Sequence, residues 1–327
     1  MARMPAEWAP HEAVWIGFPS DPALWLDDLA PAQAEVAAFA RAVHADGAGE
    51  TVVLVVADAA AAERAQARAG DVTEIVVEPF GDIWLRDTAA IIVDDGGTPV
   101  GRDFAFNGWG GKYDLPGDDS IGARLAAARG LTVTREDWVF EGGALDVDGS
   151  GLGVTTAQCL LNPNRNPGME AAAVEARLAA ALGVERLLWL GDGLANDHTD
   201  GHVDNLARFV GPGRLAVPIA SGGDDPNADV YADAAARARA FGLEVIEVPS
   251  PGLVERDGEV IPASYMNFYI GNAAVVVPQY GAANDAAAVA AIAALFPTRR
   301  VTGLRADHVL TGGGSFHCIS QQIPALG

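Results

Sequence analysis

The sequence predicts an α/β fold assembled from about five copies of one helix–strand unit, on three observations. The first is a recurring phrase in which an alanine-rich helix carrying arginine ends at glycine and passes into a β-rich run. It reads Arg124-Leu125-Ala126-Ala127-Ala128-Arg129-Gly130-Leu131, then Arg177-Leu178-Ala179-Ala180-Ala181-Leu182-Gly183-Val184. Arg237-Ala238-Arg239-Ala240-Phe241-Gly242-Leu243 repeats it, and looser copies end at Gly47 and Gly70. Helix, glycine C-cap and strand are the shared order. The second observation is a polar segment after each such strand, followed by another apolar run such as Ala89–Val93, Leu206–Val210 or Ala273–Val277. The third is a period in the unusual residues of those segments. Asp87, Glu141, Asp204, Asn267 and Cys318 follow one another at intervals of 54, 63, 63 and 51 residues. If equivalent positions of the units face a common axis, these residues converge on one site, and residues 1–327 form a single repetitive domain.

Composition bounds the function. Half of the 327 residues are hydrophobic, enough to bury a core. The net charge of −23 opposes nucleic acid and anionic membrane surfaces as partners and permits a cationic ligand, although an acidic surface also serves solubility alone. The two cysteines, Cys159 and Cys318, make no disulfide framework and no Cys-x-x-Cys pair. The first residues lack an apolar signal core and no long uncharged apolar run follows. A soluble, cytoplasmic protein is expected.

Cys318 closes the run Gly312-Gly313-Gly314-Ser315-Phe316-His317-Cys318. A thiol behind glycines suits either a nucleophile on closely approaching backbone or a small buried hydrophobe. In Asp197-His198-Thr199-Asp200-Gly201-His202-Val203-Asp204-Asn205, an extended backbone would place His202 and Asp204 on one face. Histidine there suits proton transfer and a carboxylate suits a cation; alternating His198, Asp200, His202 and Asp204 also fit a metal, or a solvated turn. Trp84-Leu85-Arg86-Asp87 and Phe140-Glu141-Gly142-Gly143 each place a carboxylate after an apolar stretch. Trp84 and Trp109 fit stacking on a planar cation or plain packing, and Arg86 beside Asp87 fits an ion pair. Thiol, histidine and three carboxylates together suit a guanidinium, whose N–H fork two carboxylates can grip while sulfur faces its carbon.

These motifs resemble those of the agmatine deiminase family, within the wider group of guanidino-modifying enzymes that includes peptidylarginine deiminases. The resemblance runs from Met4-Pro5-Ala6-Glu7-Trp8 through Trp84–Asp87, Phe106–Gly111, Glu141–Gly143, Cys159–Asn162 with Arg165-Asn166-Pro167, Gly201–Asn205 and Ala263–Tyr269 to Gly312–Ile319. It implies a five-bladed α/β propeller (pentein) with pseudo-fivefold symmetry around a central site. It further implies Cys318 as nucleophile, His202 as general acid and base supported by Glu141, and Asp87 and Asp204 on the guanidinium nitrogens. No metal or organic cofactor is implied, and the expected substrate is agmatine, hydrolysed to N-carbamoylputrescine and ammonia as in putrescine biosynthesis. The alternatives are a deiminase or amidinotransferase acting on arginine or peptidylarginine, and a guanidine-binding protein without catalysis. Self-association into a homo-oligomer stays open. Two departures stand out: Thr88-Ala89-Ala90 replaces a residue followed by Gly-Pro, and His198 stands where many relatives carry an acidic residue.

Overall fold

Alanine loses no side-chain entropy in a helix, and β-branched residues pack well on a pleated surface, so the repeated phrases fold as read. In the computed structural model, which describes residues 2–326, helices span Ile121–Ala128, Ala171–Leu182 and Ala228–Phe241. Left-handed Gly183 and Gly242 cap the second and third of these. A strand follows each: Thr132–Val139, Arg186–Leu190 and Glu244–Pro249.

Among the described residues the strands form five separate sheets of three or four strands and one two-stranded hairpin. Every sheet repeats one pattern, an antiparallel pair whose second strand runs parallel to the strand that follows the helix. In one, Ile91–Asp95 pairs antiparallel with Pro99–Ala105, which pairs parallel with Thr132–Val139. The others are built on Leu152–Thr156, Arg214–Ile219 and Ala274–Gln279 in the same way. The remaining sheet joins distant parts of the chain: Ser320–Pro324 lies antiparallel to His11–Gly17, which runs parallel to Thr51–Val56.

Two sequence expectations need correction. The helix phrases are not one per sheet, because Leu29–His44 and Ala59–Ala69, which precede Gly47 and Gly70, both serve the sheet of His11–Gly17, Thr51–Val56 and Glu74–Val77. The unit that the phrase misses has its helix at Asp285–Leu295, which ends at Phe296 before Pro297 rather than at glycine. Nor is the His202–Asp204 segment extended. Val203–Asn205 forms one 3-10 turn, and the strand begins only at Arg208. The turn replaces strand alternation, yet both side chains are buried.

Aromatic packing fixes the glycine run. Phe316 is fully buried and stacks on Phe39 at 4.7 Å, and Phe39 meets Tyr269 edge-on at 5.7 Å. Offset and edge contacts of this kind add to area burial, so the two residues after Phe316 are held by the core.

Candidate active site

The five residues of the period meet. Asp87 lies in the one-turn helix Leu85–Thr88, which is tied to the glycine run by the Arg86 N–H donating to the Cys318 carbonyl at 3.0 Å. The substituted Thr88-Ala89-Ala90 still forms the turn, with the Ala89 N–H on the Leu85 carbonyl at 3.0 Å. Asp87 is buried; its Oδ1 accepts from the Gly143 N–H and its Oδ2 from the Trp109 indole N–H, each at 2.9 Å. Gly143 permits the convergence. A Cβ there would lie 2.6 Å from His202 Nδ1, 2.9 Å from Asp87 Oδ1 and 3.2 Å from Asp204 Oδ2.

Glu141 is fully buried and accepts from Arg165 Nε at 2.9 and 3.2 Å, with His202 Nε2 at 3.4 Å. The other imidazole nitrogen, Nδ1, stands 3.6 Å from Asp87 Oδ1. Burial opposes a charged imidazole, but Asp87, Cys159 and Glu141 outweigh it and hold His202 well above the usual histidine range. His202 is therefore an imidazolium poised between two carboxylates.

Asp204 Oδ2 accepts from His317 Nδ1 at 2.8 Å and lies 3.5 Å from Cys318 Sγ. Its Oδ1 is buried without a hydrogen-bond partner, as is His202 Nδ1. Buried polar atoms are ordinarily satisfied, so Asp204 Oδ1 marks where a ligand donor belongs, while the Nδ1–H of charged His202 calls for an acceptor. Burial raises the Asp204 pKa, but His317 first and His202 next more than offset it, keeping the carboxylate ionised.

Cys318 is buried, and Asn267 holds it at two points, Nδ2 donating to Sγ at 2.9 Å and Oδ1 accepting from its N–H at 3.2 Å, while Oδ1 also accepts from the His317 N–H at 3.0 Å. Burial first, then the charges of Asp204 and Asp87, push the thiol well above the usual cysteine range. A cation held between the two carboxylates would offset their share of that rise and favour the thiolate.

A cavity of about 190 Å³ is lined by Cys318, Asp87, Trp84, Trp109 and Trp25, and also by His198 and Tyr113, which line a second, outer cavity as well. That outer cavity, of about 830 Å³, is also lined by Lys112, Arg256 and several carboxylates. Trp84 and Trp109 thus both form walls, and Trp109 also donates to Asp87. Arg86 does not pair with Asp87; its guanidinium turns to Gln322 Oε1 at 2.8 Å and the His317 carbonyl at 3.4 Å.

The alternating metal set does not assemble. His198 is exposed with Nδ1 3.1 Å from Tyr113 Oη, and Asp200 is taken by Lys112 at 2.6 Å and by Arg165. Among the described residues, the ligand atoms close enough to share an ion are those of Glu141, Cys159 and His202, within 4.8 Å of one another. Arg165 already occupies both oxygens of that glutamate. Sequence reasoning gives Asn267 only a place in the period and gives His317, Arg165 and Asp82 no role. Asn267 carried a signal, its phase; the other three act through contacts that no local pattern encodes.

The model of the Porphyromonas-type peptidyl-arginine deiminase family matches residues 3–324. An agmatine deiminase of Pseudomonas aeruginosa (strain LESB58) is 38% identical over 356 aligned positions, covering 99% of this chain and 95% of the relative. An agmatine deiminase of Stutzerimonas stutzeri (strain A1501) is 37% identical, covering 98% and 95%. Among solved structures, the agmatine deiminase of Enterococcus faecalis superposes with a TM-score of 0.92 at 32% identity, covering 100% of this chain and 96% of its own. Matched along nearly its whole length in both sequence and fold, the chain belongs to the Porphyromonas-type peptidyl-arginine deiminase family.

Proposed function

We propose that the protein hydrolyses the guanidinium of a small cationic guanidine, and that agmatine is its substrate. The observation that carries this reading is a buried thiol flanked by two buried carboxylates, one with an unpartnered oxygen. A planar cation satisfies that oxygen and offsets both negative charges. The agmatine deiminases among the relatives supply the substrate. An arginine substrate has less support, because the cations lining the outer cavity are already engaged, Lys112 by Asp200 and Arg256 by Asp28.

In this reading Asp87 and Asp204 grip the guanidinium nitrogens, with its carbon over Cys318. The cation lowers the thiol pKa, the thiol proton is lost to solvent, and the thiolate attacks the guanidinium carbon, giving a neutral tetrahedral adduct. The His202 imidazolium, held by Glu141, protonates one nitrogen; the C–N bond breaks, ammonia leaves, and a planar amidino-thioether stays on Cys318. Neutral His202 then takes a proton from water, whose oxygen attacks the same carbon. Collapse breaks the C–S bond and releases a ureido product, N-carbamoylputrescine from agmatine. No step calls for a metal or organic cofactor. The five sheets of one pattern, with their five converging residues, support a five-bladed propeller in a single domain. No helix among the described residues is long and apolar enough to cross a membrane, and buried unpaired Cys159 and Cys318 fit a reducing, cytoplasmic setting.

An ammonia-release assay on agmatine, arginine, arginine peptides and other guanidino amines tests the reading, with Cys318→Ser as control. Release from agmatine that Cys318→Ser abolishes is expected. Silence on every guanidine would remove the deiminase function, and turnover by Cys318→Ser would remove the mechanism.

A further inference from the structure

Asp82 is a buried carboxylate that the mechanism does not use, and it lines the inner cavity. Its Oδ1 accepts the indole N–H of Trp25 at 3.0 Å and its Oδ2 that of Trp84 at 2.7 Å. The two indoles belong to separate segments, Trp25 to the short helix Pro22–Trp25 and Trp84 to the turn before Asp87, and they lie stacked with centroids 6.4 Å apart. Trp84 in turn presses on the glycine run. A Cβ on Gly312 would come within 2.4 Å of its ring, and one on Gly314 within 2.7 Å of the ring and 2.9 Å of Cys318 Cβ.

We propose that Asp82 is a positioning residue: one carboxylate brackets the stacked Trp25 and Trp84 as one side of the substrate channel and, through Trp84, sets the glycine run that carries Cys318. An indole N–H only donates, so fixing two of them at one point requires two acceptor oxygens close together and no donor. Ionised aspartate is the side chain of this length that meets the requirement. Asparagine does not, since its amide N–H₂ must face one indole N–H and leave it unpaired. The bracket acts on the channel that takes the substrate's chain and only indirectly on the reacting atoms. Its loss therefore falls on binding before chemistry.

This inference rests on the guanidine reading for its kinetic arm only. In Asp82→Asn we expect KM for agmatine to rise at least tenfold with kcat changed less than threefold, and tryptophan emission to shift to longer wavelength. Trp25→Phe removes the N–H that opposes the amide, so the double variant Asp82→Asn/Trp25→Phe should recover KM toward that of Trp25→Phe alone. Such a rescue is the non-additive coupling of two side chains in contact, read here in KM, which a bracket that served stability alone would not move. Unchanged KM and emission in Asp82→Asn, or strictly additive effects in the double variant, would overturn the proposal. If no guanidine is turned over, the emission spectra of the four proteins still decide the bracket, so its failure and that of the deiminase reading stay separate. Should Asp82→Asn fail to fold, Asp82→Glu serves: it keeps both acceptors one methylene further out, and an unchanged KM there would also count against the bracket.

Discussion

Asp204→Asn should move two readouts in opposite directions. Asp204 Oδ2 lies 3.5 Å from Cys318 Sγ, and unit charges at that separation repel by about 5 kcal/mol at an effective dielectric of about 20. That figure is a ceiling, because His317 Nδ1 at 2.8 Å already draws on the same carboxylate. Retaining about a third to a half of it and taking about 1.4 kcal/mol per tenfold, removal of the charge makes the thiolate about ten to a hundred times more abundant near neutral pH. Second-order alkylation of Cys318 by iodoacetamide at pH 7 should quicken accordingly. Turnover should fall, since the unpartnered Oδ1 no longer accepts from the guanidinium as a carboxylate. One charge-assisted hydrogen bond is worth about 1.5–3 kcal/mol, a loss of about 10- to 150-fold in kcat/KM. A thiol more reactive toward alkylation in an enzyme less active toward guanidine is the signature of a carboxylate that serves the substrate and restrains the sulfur. Slower alkylation in Asp204→Asn would refute this and make Asp204 the group that activates the thiol.

Arg165→Met should lower the urea midpoint by at most the equivalent of about 3–5 kcal/mol, because it strips the fully buried Glu141 of its hydrogen-bonded guanidinium and leaves it only His202 at 3.4 Å; an unchanged midpoint would mean that the pair is structurally idle. Asp118 has its pKa pushed up to about 7 by burial, with a further rise from Asp82. Its ionised form is disfavoured in the fold, so its contribution is intact below the unfolded value near 4 and is lost as pH rises through about 7. Asp118→Asn, which keeps an acceptor for the Gly81 N–H at 2.7 Å, should therefore melt several degrees above the parent at pH 8 and level with it at pH 4, as read by calorimetry. Dialysis against a chelator should leave ammonia release unchanged; a loss restored by zinc would assign Glu141, Cys159 and His202 to a metal.

What the sequence disclosed follows from what repeats. Helix, strand and polar segment recur because each unit solves the same packing problem, so the phase of Asp87, Glu141, Asp204, Asn267 and Cys318 was readable without coordinates. The helix Asp285–Leu295 escaped because its unit ends without glycine. The 3-10 turn at Val203–Asn205 escaped because its shape comes from hydrogen bonds in the 197–205 loop, such as Thr199 Oγ1 accepting from the His202 N–H at 3.0 Å. His317 and Arg165 were silent for a related reason. Each earns its role from partners far off in the chain, His317 from Asp204 and Glu7 and Arg165 from Glu141 and Asp200. Such pairings leave no periodic trace.

The sheet that joins Ser320–Pro324 to His11–Gly17 begins two residues after Cys318, with Ser320 opposite Ile16. A ribosome would have made Asp87, Glu141, His202, Asp204 and Asn267 long before that pairing could form. Until it does, the thiol has Asn267 and the packing of Phe316 on Phe39 to hold it, but not the strand that follows it. The nucleophile's segment is thus closed onto the fold by a strand made long before it, so the thiol reports that the two have found each other.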